Sequence, residues 1–247
     1  MFKVNKKISR DIIQNTNSIH VGEIQVSGCN YYVKPDDDKM ELIGYSLACL
    51  SSLPAILYRS IHVRNKNYSI SRDMRQQYFF LLAEELMGNI RYIPEILEKL
   101  RKLDFYNEEL EHQLYQMYFF DFLFLNNDRY PRNFGFYRDN SKWNLILFDH
   151  MRLFDVSYPL ALRYNPNNFL ETELLSAYYK DFLEFYYNMS DDVQEKIRKM
   201  YEIYNPLEVE SIINKINPEK RNTFMNIYQN HYEKVGIILN RGVKYGR

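Results

Sequence analysis

The chain has 247 residues, 46% of them hydrophobic and 16% aromatic, enough to build one large domain or two packed lobes and too apolar for a disordered chain. Lysine plus arginine and aspartate plus glutamate balance at 32 each. That balance excludes a broad nucleic-acid or anionic-membrane footprint and leaves only a local basic patch, for example around Arg59, Arg64 and Lys66.

The opening "MFKVNKKISRD" is positively charged but no apolar run follows it, and stretches such as "YFFLLAEELM" stop well short of a membrane span. A cytoplasmic protein with no membrane or direct nucleic-acid contact is expected. "HVGEIQV" alternates as a strand does, "SGCN" is turn chemistry, and "YYVKP" is a second strand closed by proline. In "MELIGYSLACLSSL", Met40, Ile43, Leu47 and Leu50 recur at helical spacing, with Pro54 beyond the end. Cys49 falls on this helix and is expected to be a buried thiol; with Cys29 it forms neither a disulfide framework nor metal-ligand spacing. "AILYRSI" and "NYSIS" read as strands around the turn "RNKN". From Arg72 the period becomes helical in "RDMRQQYFFLLAEELMG", "IPEILEKLRKL" and "NEELEHQLYQMYFFDFLFL". Residues 133–138 and 143–149 read as a hairpin, and four further helical segments follow it. There is no internal repeat and no linker of low complexity. The pattern is α+β, with a small strand-rich front over residues 1–73 and a larger helical back over 74–247. Residues 125–149 fall where a cleft between the two would lie.

That stretch, "LNNDRYPRNFGF" followed by "LILFDH", places polar residues between greasy runs. Phosphoryl transfer needs a cation on the phosphates, metal held by oxygen ligands and a carboxylate that orients the attacking hydroxyl. Asp128 is a candidate for that carboxylate. Asn133, five residues on, offers an amide oxygen to Mg²⁺, and Asp149, after the strand "NLILF", offers a second ligand. Each also has a plainer reading: Asn126, Asn127 and Asp128 as a helix-end cap, Asp149 as the start of a turn. The three together, flanked by apolar elements, read as a site.

Here the segment resembles the catalytic core of HipA-like kinases, relatives of the phosphatidylinositol-kinase branch of the kinase fold. That family carries Asn-x-Asp-Arg-His-x-x-Asn-Phe-Gly at its catalytic loop and Phe-Asp-x-Gly after the next strand. The strong match covers about residues 117–150, including Phe120-Asp121 and Asn133-Phe134-Gly135. Tyr130 stands where the family usually has His, and Met151 where it usually has Gly. The resemblance implies a two-lobed protein-kinase-like fold with ATP and Mg²⁺ between the lobes. It makes Asp128 the catalytic aspartate and Asn133 and Asp149 the metal-binding residues. It also calls for a phosphate-holding lysine, for which Lys34 in "YYVKP" is the candidate against a plain surface lysine. The lysine's helix partner is Glu41, which "DKME" could equally engage in a capping box with Asp38. The place of the phosphate loop falls to "NTNS", residues 15–18, where backbone amides at Asn17 and Ser18 could form an anion nest without glycine. Thr16 or Ser18 there is a candidate for self-phosphorylation. Residues Tyr68, Ser69, Ile70 and Ser71 are expected to form the linker strand whose backbone meets adenine. The implied substrate is a protein Ser or Thr hydroxyl, and the implied setting a toxin–antitoxin module in which a separate antitoxin or DNA-binding protein is the partner. A pseudokinase or a small-molecule phosphotransferase is the alternative.

Overall fold

The computed structural model describes residues 21–156, 162–169 and 174–241. Two antiparallel sheets and a body of helices make up the structure. The first sheet has the order β1-β2-β4-β3, formed by β1 (Gly22–Val26), β2 (Cys29–Pro35), β3 (Tyr58–Val63) and β4 (Lys66–Arg72). Two tight turns build its hairpins. Ser27 and Gly28 have φ of 51° and 79°, Arg64 and Asn65 have 49° and 62°. Such paired left-handed residues match the twist of the strands they join.

Helix α1 (Met40–Leu50) crosses from β2 to β3 and buries Met40, Ile43, Gly44, Leu47 and Ala48 on one stripe. Cys49, expected to be buried, is exposed. It lies one residue, about 100° of rotation, beyond Ala48 and so off that stripe.

A second departure concerns residues 72–88, which the apolar pattern casts as one helix. The chain instead makes a 3₁₀ turn at Met74–Gln76, then strand β5 (Phe79–Leu82), and only Ala83–Met87 is helical (α2). A continuous apolar run such as "YFFLL" suits a strand as well as a buried helix. The edge of β6 (Phe134–Asp139) decides the matter by pairing Phe79 with Arg138 and Leu82 with Gly135. β6 pairs in turn with β7 (Lys142–Leu147), completing a sheet of order β5-β6-β7 and the expected hairpin. A side chain at Gly135 would meet the Leu81 carbonyl oxygen and the Phe80 ring at 2.7 Å, so the glycine serves this close strand approach.

The helical body contains α3 (Ile93–Leu100), α4 (Glu108–Leu123), α5 (Leu174–Tyr187), α6 (Asp191–Ile203), α7 (Pro206–Ile216) and α8 (Arg221–Arg241). Asn107 caps α4 by accepting the Leu110 N–H, and Glu108, Glu109 and Glu111 in the first turn suit its dipole. The other half of α4 is greasy on every side because it is buried on every side. Phe122 stacks on Phe182 with ring centres 3.9 Å apart, and Tyr178 covers its other approach at 4.9 Å. One core cluster runs from α1 through α4 to α8, and a smaller one, Ile24, Val33, Ile61, Val63, Tyr68 and Ile70, lies on one face of the first sheet. Ala55, just before β3, bridges Leu147 of β7, so the two sheets are tied beside the site. Among the described residues no helix is long and apolar enough to cross a membrane.

His231 on α8 is buried, with its Nε2–H on the Phe122 carbonyl and its Nδ1 accepting from the Tyr179 hydroxyl. Burial pushes its pKa down from 6.5 to about 4. Between those values the unfolded chain binds a proton that the folded chain refuses, so this contribution is complete above pH 6.5 and is lost as pH falls toward 4. Urea unfolding of wild type at pH 7.5 and 5 should therefore show an acid loss of about 1.4 kcal/mol per pH unit from this group. His231→Gln should be less pH-dependent by that amount, and an unchanged pH dependence would remove His231 from the account.

Candidate active site

Alternation along the first sheet sorts its residues onto two faces. Lys34 pairs with Ser69, and Tyr32 and Tyr58 both pair with Ser71, so all five side chains share the face that lines a cleft of about 270 Å³ with Arg132, Asn133 and Asp149. Tyr68 and Ile70 point the other way, into the smaller core cluster. A larger cavity of about 510 Å³ opens on that opposite side, near Tyr31, Arg59 and Ile70, but it contains none of Lys34, Asn133 or Asp149. The candidates Lys34, Asn133 and Asp149 line the smaller cleft.

The linker assignment for residues 68–71 needs correcting. β4 is an interior strand whose backbone is paired to β2 on one side and to β3 on the other. Its amides and carbonyls are committed to the sheet and are not free for an adenine ring. The chain leaves the sheet after Arg72, and it is Asp73, Met74 and Arg75 that border the cleft there. Ser69 and Ser71 still reach the cleft through their side chains. Asn17 and Ser18, with Thr16, lie outside the described residues.

Lys34 ends β2 with its ammonium 2.8 Å from Asp149 Oδ1 and in contact with Glu41 Oε1. Glu41 is fully buried on α1, and its other oxygen accepts the His150 N–H at 2.9 Å. The Asp38–Glu41 capping box does not form. Asp36 performs the capping instead, its buried carboxylate accepting the N–H groups of Met40 and Glu41 at 2.7 and 3.1 Å and the Ser69 hydroxyl. With the helix end satisfied by Asp36, Glu41 is free to face Lys34. Burial works against the Lys34 charge, but Glu41, Tyr58 and Asp149 together raise its pKa, so it stays an ammonium. Burial likewise works against Asp149, yet Lys34 and Arg129 hold its carboxyl below the ordinary value.

The catalytic-loop candidates rest on a buried arginine. Arg129 is fully buried, and its guanidinium forks onto Asp121 of α4 through Nε at 2.9 Å and Nη2 at 3.1 Å. Nη1 donates to the carbonyls of Asn133 and Phe148, and Nη2 lies 3.3 Å from His150 Nδ1. One side chain therefore ties α4, the loop carrying Asp128 and Asn133, and the segment carrying Asp149. Asn126 adds a third bond to the Asp121 carboxylate at 2.6 Å. Asn133 is fixed by donating its amide to the Asp128 carbonyl, which leaves its Oδ1, among the described residues, without a hydrogen-bond donor. Asp128 is partly exposed, 3.4 Å from Arg132; burial first, then the charge of Asp149, raises its pKa. Tyr130, where the resembled family has His, has the guanidinium groups of Arg91 and Arg132 over its ring at 5.1 and 4.9 Å from the centroid.

Lys34, Glu41, Asn133 and Asp149 are thus brought together, and Asp128 is bonded through its carbonyl to Asn133. No group of three or more His, Cys, Asp or Glu side chains among the described residues could hold a metal alone. Two oxygens, the Asp149 carboxylate and Asn133 Oδ1, suit Mg²⁺ when phosphate and water complete its shell. Sequence reasoning missed Asp36 and Tyr58. Asp36 was hidden in "PDDDK", where three consecutive aspartates look alike, and the tyrosine sits in a strand that reads as ordinary core.

No protein-family model and no curated protein matches the sequence. Solved structures do. Over 92% of this chain and 95% of the other, the fold is similar to the Helicobacter pylori proinflammatory kinase CtkA, with a TM-score of 0.72 and 14% identity. It is also similar to Shewanella oneidensis HipA, solved with HipB and operator DNA, with a TM-score of 0.55 and 13% identity over 87% of this chain and 58% of that one. The chain has a HipA-like kinase fold.

Removing Arg129 would leave the Asp121 carboxylate buried without its counter-charge. Arg129→Met should cost about 3–5 kcal/mol of unfolding free energy. Arg129→Lys should recover little of that, since an ammonium cannot reproduce the fork. Urea denaturation checks both, and a loss under 1 kcal/mol would mean that Arg129 does not hold the loop.

Proposed function

We propose that the protein is an ATP-dependent kinase that transfers the γ-phosphate to a Ser or Thr hydroxyl of a protein substrate. The observation that carries this reading is the Lys34 ammonium held between Glu41 and Asp149 at the mouth of a cleft that also contains Asn133. A cation so placed, beside two oxygen ligands, is what a nucleotide triphosphate and its metal require.

In this reading Lys34 shifts its contact from Asp149 to the phosphates when nucleotide enters, while Glu41 keeps its hold on the amine. Asp149 and Asn133 would hold Mg²⁺, whose charge would offset that of the phosphates. Asp128, on the exposed side of Asn133, orients the substrate hydroxyl and accepts its proton. Its carboxyl is already biased toward proton uptake by partial burial and by Asp149. Ser69 and Ser71 face the same space, with the Asp73–Arg75 segment at its border as the adenine-side wall. A separate antitoxin-like or DNA-binding protein is the proposed partner, by analogy with the HipA structure solved with HipB and DNA.

Incubation with labelled ATP and Mg²⁺, alone and with a cell lysate, should give labelled protein with wild type. Asp128→Asn should bind ATP normally while transfer falls by about 10²–10⁴, the scale of a general base. In calorimetric titration Asp149→Ala should weaken Mg-ATP binding more than Asp128→Asn does. Undiminished affinity in both variants would remove the assigned metal site. Equal trace turnover in wild type and Asp128→Asn would leave a nucleotide-binding protein without transfer, and label on small alcohols alone would make the substrate a small molecule.

A further inference from the structure

His150 follows the proposed metal ligand Asp149 and is completely buried, yet no step of the transfer uses it. Four parts of the fold converge on it. Its backbone N–H donates to Glu41 Oε2 at 2.9 Å, its Nδ1 lies 3.3 Å from Arg129 Nη2, and its ring meets the edges of Tyr58 and Phe120. On the remaining side it presses against Gly44, where a Cβ would stand 2.3 Å from both Cβ and Cγ of the histidine. Cβ is attached to the backbone and cannot swing aside, so a side chain at position 44 is incompatible with this placement.

Glycine inside a helix costs about 1 kcal/mol relative to alanine. Here that cost falls on α1 one turn beyond Glu41, on the same face of the helix. The imidazole also leaves Nε2 buried without a partner, a further expense. Two unfavourable features in one packed pair of residues indicate that the pair sets a position.

We infer that the His150 ring and the Gly44 notch form a wedge that fixes the rotation and depth of α1, so that Glu41 meets Lys34. His150 is a positioning residue, acting through Glu41. One residue then joins the helix, through Gly44 and Glu41, to the catalytic loop, through Arg129. The ring's role toward α1 is one of shape, because the edge facing away from Arg129 makes no hydrogen bond.

The geometry stands apart from the chemistry, but the role assigned to Glu41 rests on the kinase reading, so the test has two readouts. The first is the rate at which Lys34 is acylated by an amine-reactive ester without nucleotide, followed by mass spectrometry. The second is transfer from ATP. In wild type the ion-paired, buried Lys34 should react slowly. Gly44→Ala and His150→Ala should each raise its rate at least tenfold, and His150→Phe, which keeps the wedge, should stay close to wild type. In the double variant Gly44→Ala/His150→Gly, where the Cβ of position 150 goes with the ring, the added methyl enters the space they have left. Gly44→Ala should therefore cost much less there than in wild type, the non-additivity that direct contact produces. Where wild type transfers phosphate, kcat should fall with the rise in Lys34 labelling, and His150→Phe should rescue it.

Lys34 labelling that is unchanged in His150→Ala, or additive effects of Gly44→Ala and His150→Gly, would overturn the wedge. Labelling that changes as expected in a protein with no transfer at all would uphold the wedge and remove the kinase reading instead. Urea midpoints for every variant separate this outcome from unfolding: a matching rise in labelling at Lys39 and Lys196, two other half-buried lysines, would count as global loosening and overturn the proposal.

Discussion

The structure depends on one constraint: charges placed in an apolar interior have to be neutralised there. Arg129 and Asp121 are both essentially without solvent, and Lys34 and Glu41 are nearly so. Each ion alone would cost several kcal/mol to bury, and the pair repays this only when further hydrogen bonds satisfy the remaining donors. Arg129 meets that condition with two carbonyls and an imidazole nitrogen as well as the carboxylate. Lys34 meets it with a second carboxylate. Because the partners come from several stretches of chain, satisfying the charges fixes where those stretches stand relative to one another. The apolar core, of which the rings around Phe122 are part, packs most of the helical body, but packing of this kind tolerates substitution of similar volume. The ionic contacts do not, and they specify the cleft.

Much of this was legible in the sequence, and unevenly. The strand–turn–strand pattern before residue 36, the helix after it, the hairpin of 134–147 and the helical tail all carry their own local signals, namely alternation, turn residues and 3.6-residue spacing. The candidate segment was the easiest to single out, since Asp128, Asn133 and Asp149 fall within 22 residues, and the fold does bring Asn133 and Asp149 to one cleft. What failed were assignments that depend on partners distant in the chain. Phe79–Leu82 is a strand because β6 offers an edge, and nothing within "YFFLL" announces that edge. Cys49 is exposed because the buried stripe of α1 ends one position earlier, a matter of helix rotation that spacing alone does not resolve.

The linker assignment failed for a related reason. "NYSIS" is a good strand by composition, and a kinase-like reading wants a strand near the nucleotide. Whether a strand's backbone is free depends on its place in the sheet order, and β4 lies between β2 and β3. An interior strand offers a ligand only its side chains. That is why Ser69 and Ser71 keep a place in the cleft while Tyr68 and Ile70 lose theirs. Asp36 makes the converse point. Its neighbours Asp37 and Asp38 are chemically identical, and only the return of the chain into α1 selects the first of the three to cap the helix and so release Glu41 toward Lys34.

A TM-score of 0.72 at 14% identity, with no match among family models, follows from the same physics. Positions whose demand is to be apolar and of suitable volume can be filled in many ways, and they make up most of the chain. Positions that hold buried charge, a helix cap or a tight backbone approach accept few residues, and here they are few: Lys34, Asp36, Glu41, Gly44, Asp121, Arg129, Asn133, Gly135, Asp149 and His150. Several lie singly, far from one another in sequence, where a profile built on runs of similarity has little to grasp. In space they are neighbours, and a comparison of shapes finds what they enforce. The fold is thus specified by a sparse set of exacting positions within a permissive majority, and in this chain that sparse set largely coincides with the lining and support of the cleft.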